Sequence, residues 1–223
     1  MPGRLVSLIW PSDSTIDAPP RYRRACAYDA YVPEPLAELR LQLDAEVAGV
    51  VSEAEHAIRD LNAHARPALT PLARLLLRTE SIASSKVEGM QVGVRELARA
   101  EVLAGTGQRA SPTALEVLAN VDAMQLAVDE AAAAQQFTVD QIVAVHRVLM
   151  AHSPNPRVGG KVRTTQNWIG GNDHNPCGAD FVPPPPEAVP GLLADLCAAI
   201  NADLLPPVVQ AALVHAQFRT CAV

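Results

Sequence analysis

Proline punctuates this chain at helical intervals. Long apolar stretches begin at or beside Pro35, Pro71, Pro112, Pro190 and Pro207. In the first turn of a helix a proline costs little, because its missing N–H has no intrahelical partner there; in a helix interior it costs about 3 kcal/mol. The spacing therefore cuts the sequence into helices and leaves little room for a large sheet. Composition agrees: 49% of residues are hydrophobic but only 4% aromatic, so the apolar content is largely Ala, Leu and Val. These are residues suited to closely packed helices. The fold class expected is all-α.

The first helix is expected from Glu34-Pro35 to about Ala63, with an apolar stripe running from Leu36 through Val47 and Val51 to Ala54 and a stop at Arg66-Pro67. Leu69 to Glu88 follows, with Pro71 at its start and Gly89 as C-cap. Val94 to Leu103 reads as a short helix stopped by Gly105 and Gly107. Ser111-Pro112 opens the next, as N-cap and first position. Thr138-x-x-Gln141 is a capping box for Val139 to Met150, and Ser153-Pro154-Asn155-Pro156 ends that helix. The last helices are expected at Pro190 to Ala202 and from Pro207 to about Phe218. Residues 1–32 show no helical period and read as an irregular, extended arm over a core.

Between these helices the period changes. Val162, Thr164, Gln166 and Trp168 alternate with Arg163, Thr165, Asn167 and Ile169, and Gly159-Gly160 and Gly170-Gly171 bracket the run. Such alternation predicts a strand, with Asp180 to Val182 as the second strand of a hairpin. Pro183 to Pro186 cannot pair as a central strand and is expected as polyproline II. Asn172 to Cys177 reads as a turn at the hairpin tip, although its atoms include metal-capable ones.

Several function classes are disfavoured. The formal net charge is −6 and the pI about 5.5, which argues against nucleic acid as the main partner. There is no run of 18 apolar residues and no signal peptide at the N-terminus, so no membrane span and a cytoplasmic location are expected. Cys26, Cys177, Cys197 and Cys221 form no C-x-x-C pair, so neither a zinc site nor a small disulfide framework is expected. Arg21, Arg23 and Arg24 read as an exposed charge cluster that packs on acidic helix faces. His146 and His152, on or beside an apolar helix, and His215 in the last helix read as structural, with His215 buried or half-buried.

Ser84 to Met90 read SSKVEGM, Lys161 to Gly171 read KVRTTQNWIGG, Phe181 onward reads FVPPPPEAVPGLL, and Val214 to Phe218 read VHAQF. In this order the segments resemble the Fic family, whose best-known members transfer AMP from ATP to protein hydroxyls. The resemblance runs from about Arg21 to Phe218. It implies a helical bundle with a small hairpin flap. It also implies two regions, 1–110 with an inhibitory helix at about 79–89, and 111–223 with a flap at about 160–183. Ser84, Glu88 and Gly89 match the family's inhibitory Ser/Thr-x-x-x-Glu-Gly/Asn motif. The glutamate there pairs with an arginine that otherwise holds the γ-phosphate of ATP; one guanidinium fork serves one anion well. Ser84 would anchor the helix. On these residues alone, Ser84 and Glu88 also describe a solvated helix end.

Thr164, Thr165, Gln166, Asn167, Trp168 and Ile169 match the flap, which docks a protein target by strand addition. Trp168 reads equally as a packing anchor. ATP and Mg²⁺ are the cofactors implied for an intact Fic protein, and a homodimer or an intact Fic partner are further partners. The family's catalytic loop, HPFx(D/E)GNGR, follows a segment like HAQF; here Arg219 to Val223 follow instead. No catalytic residue or metal ligand is therefore assigned. The expectation is a chain stopped or frame-shifted before that loop, inactive alone, with a trans-acting regulator or a non-functional product as alternatives. Apolar faces built from Leu75, Leu118, Val145, Leu193 or Leu213 are expected to lose cover, at roughly 1.5–3 kcal/mol for each side chain exposed.

Overall fold

The computed structural model describes residues 2–65, 69–202 and 205–222. Arg66-Pro67, the expected end of the first helix, and Val223 lie outside the described residues. The described residues form seven α-helices and one two-stranded antiparallel sheet, so the all-α class holds with a small β element. The helices are α1 (Ala45–His64), α2 (Thr70–Val87), α3 (Val94–Gly105), α4 (Pro112–Ala133), α5 (Val139–Leu149), α6 (Val189–Asn201) and α7 (Pro207–Ala222). The strands are β1 (Gly3–Trp10) and β2 (Cys26–Pro33). Contacts divide the chain into two compact units: residues 58–161, and residues 1–57 together with 162–223.

In the 58–161 unit, α4 packs against α2, α3 and α5. Leu97, Ala100, Ala114, Val117 and Val92 form its core, flanked by Ile82, Met90 and Leu118. Its helix ends follow local chemistry. Pro71 and Pro112 sit in the first turns of α2 and α4. Gln141 Oε1 accepts the Thr138 N–H at 2.8 Å, half of the expected capping box of α5. α3 runs two residues beyond Leu103 and ends where Gly107, at φ +70°, turns its own N–H to Ala104 O and the Gln108 N–H to Leu103 O. His146 on α5 is half-buried, and burial lowers its pKa, as suits a structural histidine.

In the other unit, β1 and β2 pair in register from Gly3 opposite Pro33 to Trp10 opposite Cys26. The expected irregular arm is thus a hairpin. Its alternation is weak because Ala27, Asp29 and Ala30 interrupt the apolar signal. Ala30 faces the core at 0% exposure while Leu5 and Ile9 lie exposed. α6 and α7 pack together, and Gln210 of α7 donates to the α6 carbonyls of Ala199 and Ile200 and to Ala202 O, closing that helix end. The predicted cluster of Arg21, Arg23 and Arg24 does not settle on acidic helices: the Arg21 guanidinium stacks on the Tyr22 ring and Arg23 Nε donates to Ala18 O at 2.7 Å.

The first helix starts later than expected. Pro35 opens only a 3-10 turn, Leu36–Glu38, after which Leu39 is extended. The Asp195 carboxylate accepts the Leu36 N–H at 2.7 Å and holds that turn on α6. The helix begins at Ala45 because Asp44 caps it, its Oδ1 accepting the Val47 N–H at 2.8 Å. None of the residues in α1 is buried, and Val47, Val50, Ile58 and Leu61 are exposed. Of the faces expected to lose cover, Leu75 is 58% exposed, Leu118, Val145 and Leu213 are half-buried, and Leu193 is buried. His215 is exposed, which corrects its reading as a buried histidine: Gln217 and Cys221, four residues apart, occupy the inward face of α7 instead.

Candidate functional site

The end of α2 is built so that Glu88 stands on an exposed turn. Glu88 is the C-cap residue, and Gly89 follows at φ +84°, a conformation that favours glycine. The Met90 N–H reaches Ser85 O at 2.9 Å and the Gly89 N–H reaches Lys86 O at 3.1 Å, the paired bonds of a Schellman cap. Met90 and Val92 then turn into the core. The Glu88 side chain is solvent-exposed. It lies where the aligned carbonyls of α2 carry partial negative charge, so a cation placed there feels both the carboxylate and the helix end.

A polar seam holds this end of α2. Ser81 and Ser85, one helical turn apart, are buried at 0% and 1% exposure. Asn120 of α4 donates to Ser85 Oγ at 3.0 Å and to Ser81 O at 3.3 Å, and Ser81 Oγ donates to Leu77 O and reaches Met124 Sδ. Ser84 is exposed, and its backbone oxygen accepts the Glu88 N–H at 3.4 Å. The helix is anchored by the serines either side of that position in the helical period, Ser81 and Ser85. The adjacent Ser84-Ser85 pair hid this from the sequence, because phase along α2 decides which hydroxyl faces α4.

The loop from Val162 to Pro185 lies in the other unit. It is not the regular hairpin expected: Ile169 and Phe181 form a single antiparallel bridge, with the Ile169 N–H on Phe181 O at 2.9 Å. Residues 162–168 adopt no strand, for a reason written in the prolines. Pro183 and Pro184 have no N–H to offer a ladder, and both are buried. Their carbonyls take side-chain donors instead: Gln166 Nε2 reaches Pro183 O at 3.0 Å and Arg163 Nη2 reaches Pro184 O at 2.5 Å. Pro185 at φ −57°, ψ 147° has the polyproline II backbone expected, and Pro186–Ala188 then forms a 3-10 turn into α6.

The six residues expected to form a flap divide by burial. Gln166 is buried, Asn167 and Trp168 are half-buried, and Thr164, Thr165 and Ile169 are exposed. Trp168 packs edge-on to Trp10 at 5.7 Å and donates its indole N–H to Asn172 O at 2.6 Å, so it is an anchor of the loop. The tip is a turn, as expected. Asn172 Oδ1 accepts the N–H groups of His174 and Asn175, and Gly170 and Gly171 carry φ of +75° and +74°. Asn175, 2% exposed, donates to Tyr22 O at 3.1 Å and accepts the Cys177 N–H at 3.1 Å.

Cys177 is disulfide-bonded to Cys26 at the start of β2, with a Cα–Cα distance of 6.2 Å. The sequence reading, which expected no small disulfide framework, missed this single bond: the partners are 151 residues apart, so spacing held no sign of the pair. Cys197 and Cys221 are free, buried thiols. Burial pushes the Cys221 thiol up to about 11, against the opposing pull of the Arg163 guanidinium. Burial likewise lowers the pKa of Arg163 from its ordinary value. Among the described residues no three His, Cys, Asp or Glu side chains are grouped to hold a metal ion. No described helix is long and apolar enough to cross a membrane.

Residues 49–129 match the family model described as Fic/DOC family N-terminal, and residues 136–220 match the model described as Fic/DOC family. Among solved structures the chain is similar to a Fic family protein from Desulfovibrio desulfuricans G20, at 20% identity and a TM-score of 0.58. That likeness covers 82% of this chain and 53% of the other, so the chain spans about half the length of that structure. No curated protein matches it.

Proposed function

The chain belongs to the Fic/DOC family, and from that premise we propose that it carries the brake and the target-docking loop of a Fic-type AMP transfer to protein Ser, Thr or Tyr hydroxyls. The observation that carries this reading is Glu88: an exposed carboxylate on a capped helix end, fixed from behind by the Asn120 seam. Such a carboxylate suits a guanidinium, and a guanidinium so engaged is withdrawn from a nucleotide phosphate. Gly89 supports it by permitting the turn that presents Glu88, and Ser84 belongs to the same exposed surface. Thr164, Thr165 and Ile169 are the flap residues left open to a target strand; Gln166, Asn167 and Trp168 support them from within.

The residues described do not fit ATP and Mg²⁺. The 223 residues contain no HPFx(D/E)GNGR segment, and among the described residues no three His, Cys, Asp or Glu side chains group to hold a metal. The chain by itself is expected to transfer nothing. Incubation of the pure chain with labelled ATP, Mg²⁺ and a protein mixture tests this. ATP-dependent labelling of any protein refutes it.

A second reading has its own support. The 58–161 unit has a core of its own and bears Glu88 on its surface, which suits docking of the brake on an intact Fic protein in trans. Here the chain is added to an active Fic transferase that lacks its own inhibitory glutamate. The expected result is lowered AMP transfer, relieved by Glu88→Gly. Equal activity with and without the unmutated chain removes the trans reading and leaves the first untouched.

A further inference from the structure

The loop tip between Ile169 and Phe181 is tied to the segment around β2 by one covalent bond, beside which Asn175 and Pro176 are buried. The Asn175 amide also donates to Tyr22 O, and the Tyr22 and His174 rings meet in a tilted contact at 5.3 Å. The base of the loop is held separately, by the Ile169–Phe181 bridge and by the Tyr31 N–H on Val182 O at 2.8 Å. Between base and tip stand Gly170 and Gly171 on one side and Gly178 on the other, at φ +75°, +74° and +81°. Their backbones turn with fewer steric barriers than those of other residues.

Both bonded cysteines are half-buried, whereas the two free ones are buried. The bond is thus within reach of a small dithiol, and the remaining sulfurs are not.

We propose that Cys26–Cys177 is a reducible latch on the loop tip, opened by thiol–disulfide exchange with an external dithiol. A thiolate of the dithiol attacks one sulfur of the pair, and the Cys26–Cys177 bond breaks. The second thiol of the reagent then attacks the reagent's own sulfur in the mixed disulfide and expels the second protein thiolate. The reagent leaves as its cyclic disulfide, and the two protein sulfurs gain two electrons and two protons as thiols. In a reducing compartment the tip is released, and in an oxidising one it is locked to β2. The base of the loop keeps its own ties in both states. This inference needs only the bond and the loop, and it stands whether or not the proposed function does.

The test compares the full chain, air-oxidised, with the same chain treated with dithiothreitol without denaturant. Iodoacetamide labelling with peptide mapping is expected to modify neither Cys26 nor Cys177 before treatment and both after it. Hydrogen exchange is expected to quicken at least tenfold at the amides of His174, Asn175, Cys177 and Ala179, while those of Tyr31, Ile169 and Phe181 keep their rates. The double variant Cys26→Ser, Cys177→Ser is expected to show the fast tip with no reductant. Labelling of both cysteines in the oxidised sample overturns the latch, as does an unchanged tip after reduction. Faster exchange throughout residues 1–57 and 162–223 also overturns it, because the bond would then be a staple of the whole unit.

Discussion

Gly171→Ala is expected to destabilise the chain more than Gly89→Ala, although both glycines have positive φ, +74° and +84°. Alanine in this left-handed region costs about 1–2 kcal/mol at either site. The surroundings differ. At Gly89 a Cβ meets nothing within 4 Å, so the conformational cost stands alone. At Gly171 it falls 2.8 Å from Gly178 O and 3.0 Å from the Ala179 Cα and N, all backbone atoms that no side-chain rotation moves aside. Overpacking of that kind adds about 1–3 kcal/mol. The expected losses are therefore about 1–2 kcal/mol for Gly89→Ala and about 2–5 kcal/mol for Gly171→Ala.

Urea unfolding followed by two signals separates the sites. The two tryptophans, Trp10 and Trp168, lie in the unit that holds Gly171. Tryptophan fluorescence should therefore shift its midpoint for Gly171→Ala and not for Gly89→Ala, while far-ultraviolet circular dichroism follows the helices of both units. A fluorescence midpoint unchanged by Gly171→Ala, or equal losses at the two sites, refutes the steric reasoning.

Two further outcomes follow from buried polar groups. Asn120→Ala removes the donor shared by Ser85 Oγ and Ser81 O and is expected to cost about 1–3 kcal/mol; hydrogen exchange at the C-terminal turn of α2 should quicken, and an unchanged turn contradicts the anchoring role of the seam. Cys221 titrates near 11 in the folded chain and near 8.5 when unfolded. Its neutral thiol thus supports the fold fully below pH 8.5, and that support is lost as pH rises through 11. Tyr28 and Tyr31, also raised by burial, act in the same direction, so the readout is the difference between the parent and Cys221→Ala, whose stability should fall less steeply between pH 8.5 and 11. Parallel curves count against the burial of this thiol.

Proline and glycine made much of the helical architecture legible. The starts of α2, α4, α6 and α7 fall at Pro71, Pro112, Pro190 and Pro207 or within one residue of them, and Gly89 caps α2 as its type implies. Pro35 misled, because a proline marks where a helix is allowed to begin and not where one does; Asp44 supplied the cap nine residues later. Residues 162–169 stood out as a separate segment between glycine pairs, but they form no strand. Their residue types alternate, but Arg163 and Gln166, which a strand would place on opposite faces, both bond proline carbonyls through their side chains, and no ladder forms there. The β1–β2 hairpin was missed because alanine and aspartate on β2 weaken its pattern. The disulfide was missed because no local pattern reports a partner 151 residues away. Around Glu88, the cap was readable from Gly89, while the choice of Ser85 over Ser84 as anchor needed the packing of α4.

The division of the chain sets an order on its biosynthesis. Residues 58–161 are contiguous, so they can fold as soon as they leave the ribosome. The unit made of residues 1–57 and 162–223 is split by that insertion of about a hundred residues. At about 5–20 residues per second, its N-terminal half waits roughly 5–20 s for its complement. During that interval β1 and β2 have each other but not Val182, and Ala30 and the β2 edge that later meets Val182 face solvent or a chaperone. Slowing translation within residues 58–161 lengthens the exposure without changing a single native contact. Codon choice across that insertion is thus a lever on yield that the folded molecule does not reveal.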